Sequence, residues 1–530
     1  MSRLASIFND VIGPVMRGPS SSHCAAASRL GRLARDLMGG EFDDVLVEFD
    51  RNGSLPTTHG SQGSDMGLFG GLLGWDAADE RLPGSPQALR AAGVRVRIET
   101  VDTGDPHPNT YRLTLRRASE QHSLRAVSTG GGMIEVLNVD GFQVSILGDC
   151  FETLIWVRGN GPELAGRLRK WVNADAVLAH EACGEQMVEV KAREFVSEAT
   201  LAELAKLFSI RAVRRLNPVL PVLSHKDTRV PFTTCAEMLR HDAGRNTPLW
   251  KLALEYEMAR GELTEAEVLA RMLDIVRILR RSIAQGIAGT RYDDRVLGHQ
   301  SGKFNDLMQA GRLLNGGALN RVVLYVTALM EVKSAMGVIV AAPTAGACAA
   351  LPGAVFALAE EMGLGEVEMA KAMLASGLIG VFIATRWTFA AEVGGCQAEG
   401  GSAAAMAAAA LVDMAGGTFA QSVAAASLAF QSMLGLICDP IASRVEAPCL
   451  GKNVMAAANA LASANMALAD FDPLIPLDEV IETAERVARQ MPRELRCTAL
   501  GGLSLTPTAK AIEQRLAARK SAACGGCACG

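Results

Sequence analysis

Aromatic residues are scarce in this chain of 530 residues, at 5% of the total. Cores without large flat side chains have to be built from small and flexible ones. The 53 glycines and 21 methionines point to helices packed closely through small residues. An excess of positive charge is also lacking. Lys and Arg number 52 against 57 Asp and Glu, a net charge of −5, which argues against a broad nucleic-acid surface. Uninterrupted apolar runs of the roughly 20 residues that a membrane helix needs are missing as well. Residues 338–359 (VIVAAPTAGACAALPGAVFALA) are broken by Pro343, Gly346, Pro352 and Gly353, and residues 402–417 are too short. Both are expected to be buried helices of a soluble protein with no membrane contact. The first residues, MSRLASIFNDVIGPVMRG, show no apolar stretch followed by a cleavage site, so a cytoplasmic location is expected. In that setting the 12 cysteines are expected to be free thiols or metal ligands, not disulfides.

What is present separates into regions. Hydrophobic residues make up 49% of the chain, enough for large cores, and the length suggests two to four domains at about 100–200 residues each. Residues 1–140 mix helical signals (7–13, 21–38) with alternating strand signals at 44–50 (DVLVEFD) and 95–100 (RVRIET); residues 51–74 suit a loop followed by a short helix. Residues 141–220 read strand, helix, strand, strand, helix, strand, at 143–147 with 153–157, 163–172, 176–180, 189–191, 199–207 and 212–215. That order suits a small α+β sandwich, the alternative being an extension of the first domain. Residues 217–227 (NPVLPVLSHKD) form the linker candidate. Residues 228–518 are predicted to be all-helical, with Thr264 and Glu267 placed to cap a helix. Residues 519–530 form a Cys/Gly tail, expected to be flexible.

Three cysteines stand in unusual company: Gly394-Gly395-Cys396-Gln397, Cys438-Asp439-Pro440 and Ala447-Pro448-Cys449. Gly and Pro flanks place each thiol at a turn or element end, where a backbone can bend toward a shared metal. Cys thiolates hold iron–sulfur clusters, and three of them leave one iron with an open position. Spacing alone does not decide this, since no CxxC pair occurs among them and apolar-flanked cysteines are often plain core residues. The tail holds Cys524, Cys527 and Cys529, candidates for a fourth ligand, a metal-delivery tail or a bland reactive end.

A set of segments resembles the iron–sulfur-dependent L-serine dehydratases. They are Gly18-Pro19-Ser20-Ser21-Ser22-His23, Ala341-Ala342-Pro343-Thr344-Ala345-Gly346, EVGGCQAEGG at 392–401, LICDPI at 436–441, APC at 447–449, TALGG at 498–502 and TPT at 506–508. They run in the family's order and cover the N-terminal region and most of the last 200 residues. The resemblance implies an α+β N-terminal part, made of a β-type domain at 1–140 and an ACT-like α+β sandwich at 141–220. An all-helical α-type cluster domain follows at 228–518. It implies a [4Fe–4S] cluster held by Cys396, Cys438 and Cys449, a small amino acid as substrate, no nucleic-acid partner and a homodimer. Ser20, Ser21, Ser22, Thr344, Ala345 and Gly346 become substrate-pocket candidates, and His23 a catalytic one. The other reading of Ser20–Ser22, a helix N-cap, is compatible with carboxylate binding.

The sequence also departs from the family. Its second motif reads GSFAxTGxGHGTD, where this chain has GSLPTTHGSQGSD, so Gln62 stands in place of the histidine. A glutamine amide does not take up a proton near neutrality. His59 is therefore the first candidate for the base, followed by His23 and His299. Lys333 stands where the family has Asn, and Arg444 lies between the second and third cysteines, where it could clamp a carboxylate or pair with a local acid. Both join the substrate-binding candidates. The expected reaction is α,β-elimination of water from L-serine to a 2-keto acid and ammonia. Alternatives are a lyase for threonine, a hydroxy dicarboxylic amino acid or cysteine, and a catalytically degenerate amino-acid sensor. No lysine sits in a setting that suits pyridoxal phosphate.

Overall fold

The computed structural model describes residues 4–525, with side chains described through residue 518. The first sheet has six strands in the order Arg95–Val101, Asp44–Asp50, Thr110–Arg117, Glu120–Gly130, Met133–Val139 and Phe142–Ile146. Its first pair is parallel and the rest are antiparallel. Two helices, Ala26–Leu37 and Ser64–Leu72, share its core. They touch through glycine: a Cβ on Gly31 would meet Leu68 O at 2.4 Å, and one on Gly71 would meet Ser28 O at 2.1 Å. The contact expected between small residues is thus a backbone-to-backbone approach that no side chain permits.

The second sheet has four antiparallel strands in the order Ile210–Leu216, Phe151–Val157, Glu185–Ala192, Ala174–Ala182. Helices Gly161–Trp171 and Glu198–Ala205 complete a strand–helix–strand–strand–helix–strand order, as the periodicity implied. One difference concerns residues 143–147. They belong to Phe142–Ile146, the edge strand of the six-stranded sheet, because their partner is Met133–Val139. The segment GDCFETLIWVRG contains a single strand, Phe151–Val157, whose period of two serves two cores. Ile155 and Val157 face the two helices, while Leu154 and Trp156 join the core of the first sheet.

The remainder, expected to be all-helical over 228–518, is helical except for the two-residue strand Ile339–Val340, which the N-terminal segment recruits by pairing. At its centre lies Ser402–Met414, whose residues 402–412 are all buried, as a helix apolar on every side must be. Helices Ala350–Glu361, Glu366–Arg386, Phe419–Gln431 and Cys449–Leu468 surround it. Glu366–Arg386 is long and apolar enough to cross a membrane, and 78% of its most apolar stretch is buried among its neighbours. Thr264 and Glu267 form the expected reciprocal cap, with Thr264 N–H donating to Glu267 Oε2 at 2.8 Å.

The two ends of the chain's order interlock. Residues 5–16 pack into the helical core, not onto the sheets that follow them. Gly377 and Gly380 leave the room that Ile7 and Val11 fill. Val15–Met16 pairs with Ile339–Val340, and Asn9 is tied to Val222 by two hydrogen bonds, 2.7 and 3.0 Å. This brings the GPSSSH segment against the segment AAPTAG.

Candidate active site

Several of the motif segments meet at one gap lined by Ser20, Gln62, Glu392, Glu399, Cys438, Cys449 and Cys497, with Ala391, Pro440 and Val445. The space between them is about 290 Å3, with free room for about one water molecule.

Each cysteine arrives by a turn. Gly395, at φ +71°, follows the short helix Ala391–Gly394 and swings the chain so that Cys396 enters the turn before Ser402–Met414. Cys438 lies in extended chain bridged to Arg496, its N–H donating to Leu495 O at 2.8 Å. Cys449 opens the helix Cys449–Leu468. Cys396, Cys438 and Cys497 share a small apolar cluster, and Cys438 hydrogen-bonds to both of the others. Those bonds, then burial, hold the Cys438 thiol well above its ordinary value; burial foremost does the same for Cys449. Lys452, on the same helix as Cys449, reaches Cys396 Sγ at 3.8 Å and Asp439 Oδ1 at 2.6 Å.

Two acids that sequence reasoning passed over, although both lie in EVGGCQAEGG, face the gap. Glu399 is half-buried and accepts from Thr344 Oγ1 at 2.8 Å. Burial, then the neighbouring Glu392, push it up to about 7. Glu392 is raised as well, mainly by burial, and its Oε2 has no partner. Gly346 exists for Glu399: a Cβ there would stand 2.6 Å from Oε1. Ala345 N–H donates to Ser21 Oγ at 3.1 Å, so residues 344–346 form the wall behind the carboxylate.

His23 is buried below Ser20. Thr58 Oγ1 donates to Ser54 O at 2.7 Å and so accepts from His23 Nε2 at 2.8 Å. That assigns the proton to Nε2 and leaves Nδ1 to accept from Ser20 Oγ at 3.0 Å. Burial, then His59, depress His23 to about 3, so the ring is neutral.

The other candidates stand apart from the lining. His59 Nδ1 is paired with Asp65 Oδ1 at 2.7 Å, and its side chain is 27% exposed. Arg444 is engaged by Asp294, not by Glu446, whose Oε2 accepts from the N–H groups of Val296 and Leu297. Lys333 Nζ donates to Val445 O from a fully buried position. His299 lies 3.9 Å from Glu331. Gln62 does line the gap; its Nε2 approaches Cys497 Sγ at 3.8 Å and its Oε1 is unpartnered. Cys524, Cys527 and Cys529 lie outside the residues whose side chains are described.

Among the described residues, no three His, Cys, Asp or Glu side chains are arranged to hold a single metal ion. An iron–sulfur cluster asks for something different, sulfur ligands distributed over several irons. Thiols with no imidazole among them, facing a gap edged by unpartnered oxygens, suit such a group.

Residues 244–504 match the family model for the serine dehydratase alpha chain. A probable L-serine dehydratase alpha chain of Bacillus subtilis is 35% identical over 285 residues, covering 54% of this chain and 95% of the relative. The chain belongs to the L-serine dehydratase family. The probable beta chain from the same bacterium is 32% identical over 217 residues, 40% of this chain and 97% of that protein. The L-serine dehydratase of Streptomyces coelicolor is 33% identical over 291 residues, 54% of this chain and 63% of its own length. In this dehydratase-family member, then, segments similar to an alpha and to a beta chain are joined in one polypeptide, and the lining of the gap draws on both halves: Ser20 and Gln62 from the first, the cysteines and both acids from the second.

Proposed function

We propose that this chain is a [4Fe–4S]-dependent lyase that converts L-serine to pyruvate and ammonia, with Cys396, Cys438 and Cys449 holding the cluster. The observation that carries it is the convergence of Cys438 and Cys449 with two acids and the start of the GPSSSH helix around one small gap, with Cys396 packed against Cys438 beside it. When bound, such a cluster supplies a Lewis acid for a departing hydroxyl.

The chain's own residues do the rest. The first turn of the helix that starts at Ser21 offers N–H groups to a carboxylate. Glu399 is the base for the Cα proton in this reading, in preference to His59. It faces the gap, and its value of about 7 lets it be ionised and still basic near neutrality. Neutral His23 fixes Ser20 in place by accepting a hydrogen bond from its hydroxyl. Glu399 Oε takes the Cα proton and passes it to the departing hydroxide, which leaves as water, so that 2-aminoacrylate forms and the carboxylate is restored. This tautomerises to the imine, and water then releases ammonia and pyruvate. No Lys or Arg is part of the lining, so a second substrate carboxylate would have no cation in direct contact. That favours serine over a hydroxy dicarboxylic amino acid, and the small gap favours a small side chain.

The βαββαβ order of the four-stranded unit supports an ACT-like regulatory role for it, within a cytoplasmic homodimer. The test is anaerobic reconstitution with iron and sulfide. A brown protein with about four of each per chain that forms pyruvate and ammonia from L-serine, and stops in air, is the expected result. Full activity in a colourless, iron-free preparation refutes the reading.

A further inference from the structure

A fourth thiol reaches the gap from the C-terminal side, in a stretch that neither Gly nor Pro flanks. Cys497 directly precedes the TALGG segment and is buried. Its φ of +58° lies in the left-handed region, uncommon for a residue with a Cβ. Its N–H donates to Cys438 O at 3.1 Å, while Cys438 N–H donates to Leu495 O. The two cysteine-bearing segments are therefore strapped together backbone to backbone. Cys497 is hydrogen-bonded by Cys438 and faces the same gap as Cys449. A second, independent observation concerns two other residues of the lining. Gln62 Oε1 and Glu392 Oε2, both buried and both at the gap, have no hydrogen-bond partner. Buried polar atoms left unpaired mark a space built for something else to enter.

Resting on the iron–sulfur reading above, we propose that Cys497 is the fourth thiolate of the cluster, bound to the iron that Cys396, Cys438 and Cys449 leave short of sulfur. Binding breaks the Cys497 S–H bond, the proton leaves to water, and the sulfur electron pair makes the bond to iron; no oxidation state changes. The coordination of the resting enzyme is then complete within the folded core, without a thiol from the tail. Cys497 would have to release this position for the cluster to supply the Lewis acid named above.

The experiment is 57Fe Mössbauer spectroscopy of the full chain, reconstituted anaerobically with iron and sulfide, without substrate. Wild type is compared with Cys497→Ala, Cys497→Ser and the triple tail variant Cys524→Ala/Cys527→Ala/Cys529→Ala. In wild type and in the tail variant, all the iron is expected to show the isomer shift of all-sulfur coordination. In both Cys497 variants, about a quarter of the iron moves to the higher isomer shift of an oxygen-bearing site. Serine keeps nearly the volume of cysteine, so Cys497→Ser carries the readout if circular dichroism shows the alanine variant unfolded. Unchanged spectra in the folded Cys497 variants, or the same quarter moving in the tail variant instead, overturn the assignment of Cys497 while leaving the cluster reading intact. A wild-type protein that takes up no iron and sulfide at all overturns both.

Discussion

At the scale of single residues, the proposed reaction turns on Glu399. Its charge is disfavoured by burial and by Glu392, so it stays protonated in acid and ionises close to neutrality. A base works in its ionised form. Activity is therefore expected to be low below the value of about 7, falling about tenfold per pH unit there, and to level off above it. Glu399→Gln keeps the shape and the acceptor for Thr344 but loses the proton site. It is expected to lower kcat by about 10²–10⁴-fold and to abolish that acid limb, while the cluster's absorption remains. An unaltered pH profile in the variant would assign the base elsewhere. Glu399 was hard to see in the sequence because an acid among glycines reads as surface; only its setting beside Thr344, Gly346 and Glu392 puts it forward as the proposed base. His59 was easy to see, and its partner proves to be Asp65.

At the scale of elements, glycine spacing governs how closely helices approach. The helices Ala26–Leu37 and Ser64–Leu72 meet where Gly71 faces Ser28 O and Gly67 faces Cys24 O, each with no room for a Cβ. One of these helices extends from the serines that edge the gap, and the other follows Gln62. Gly71→Ala is expected to destabilise the protein by about 1–3 kcal/mol, read as a lower urea midpoint, because it forces the pair apart. Wild-type stability would show that the backbone shifts freely there. The strands Asp44–Asp50 and Arg95–Val101 were legible from alternation, and the cap at Thr264 from local chemistry. The edge strand Phe142–Ile146 was legible as a strand but not as a member of the first sheet, since its pairing depends on Met133–Val139.

At the scale of the whole molecule, two joints hold the parts in register. One is the N-terminal segment laid into the helical core by Ile7 and Val11. The other is the double-faced strand Phe151–Val157, whose Trp156 plugs the first core beside His122, ring centres 5.4 Å apart. Trp156→Ala is expected to cost about 3–5 kcal/mol of stability, measured by chemical unfolding, with kcat unchanged while the protein stays folded. A loss below about 1 kcal/mol would mean that the two sheets do not share a core. By itself, the sequence determined the element types, the helical character of the second half and the three Gly- or Pro-flanked cysteines, because periodicity and turn chemistry are local. Only the tertiary structure decided that Cys497, Gln62 and the two glutamates share one gap with Cys438 and Cys449. Residues separated by as much as 435 positions, as Gln62 and Cys497 are, become neighbours through packing, and neither spacing nor composition carries that information.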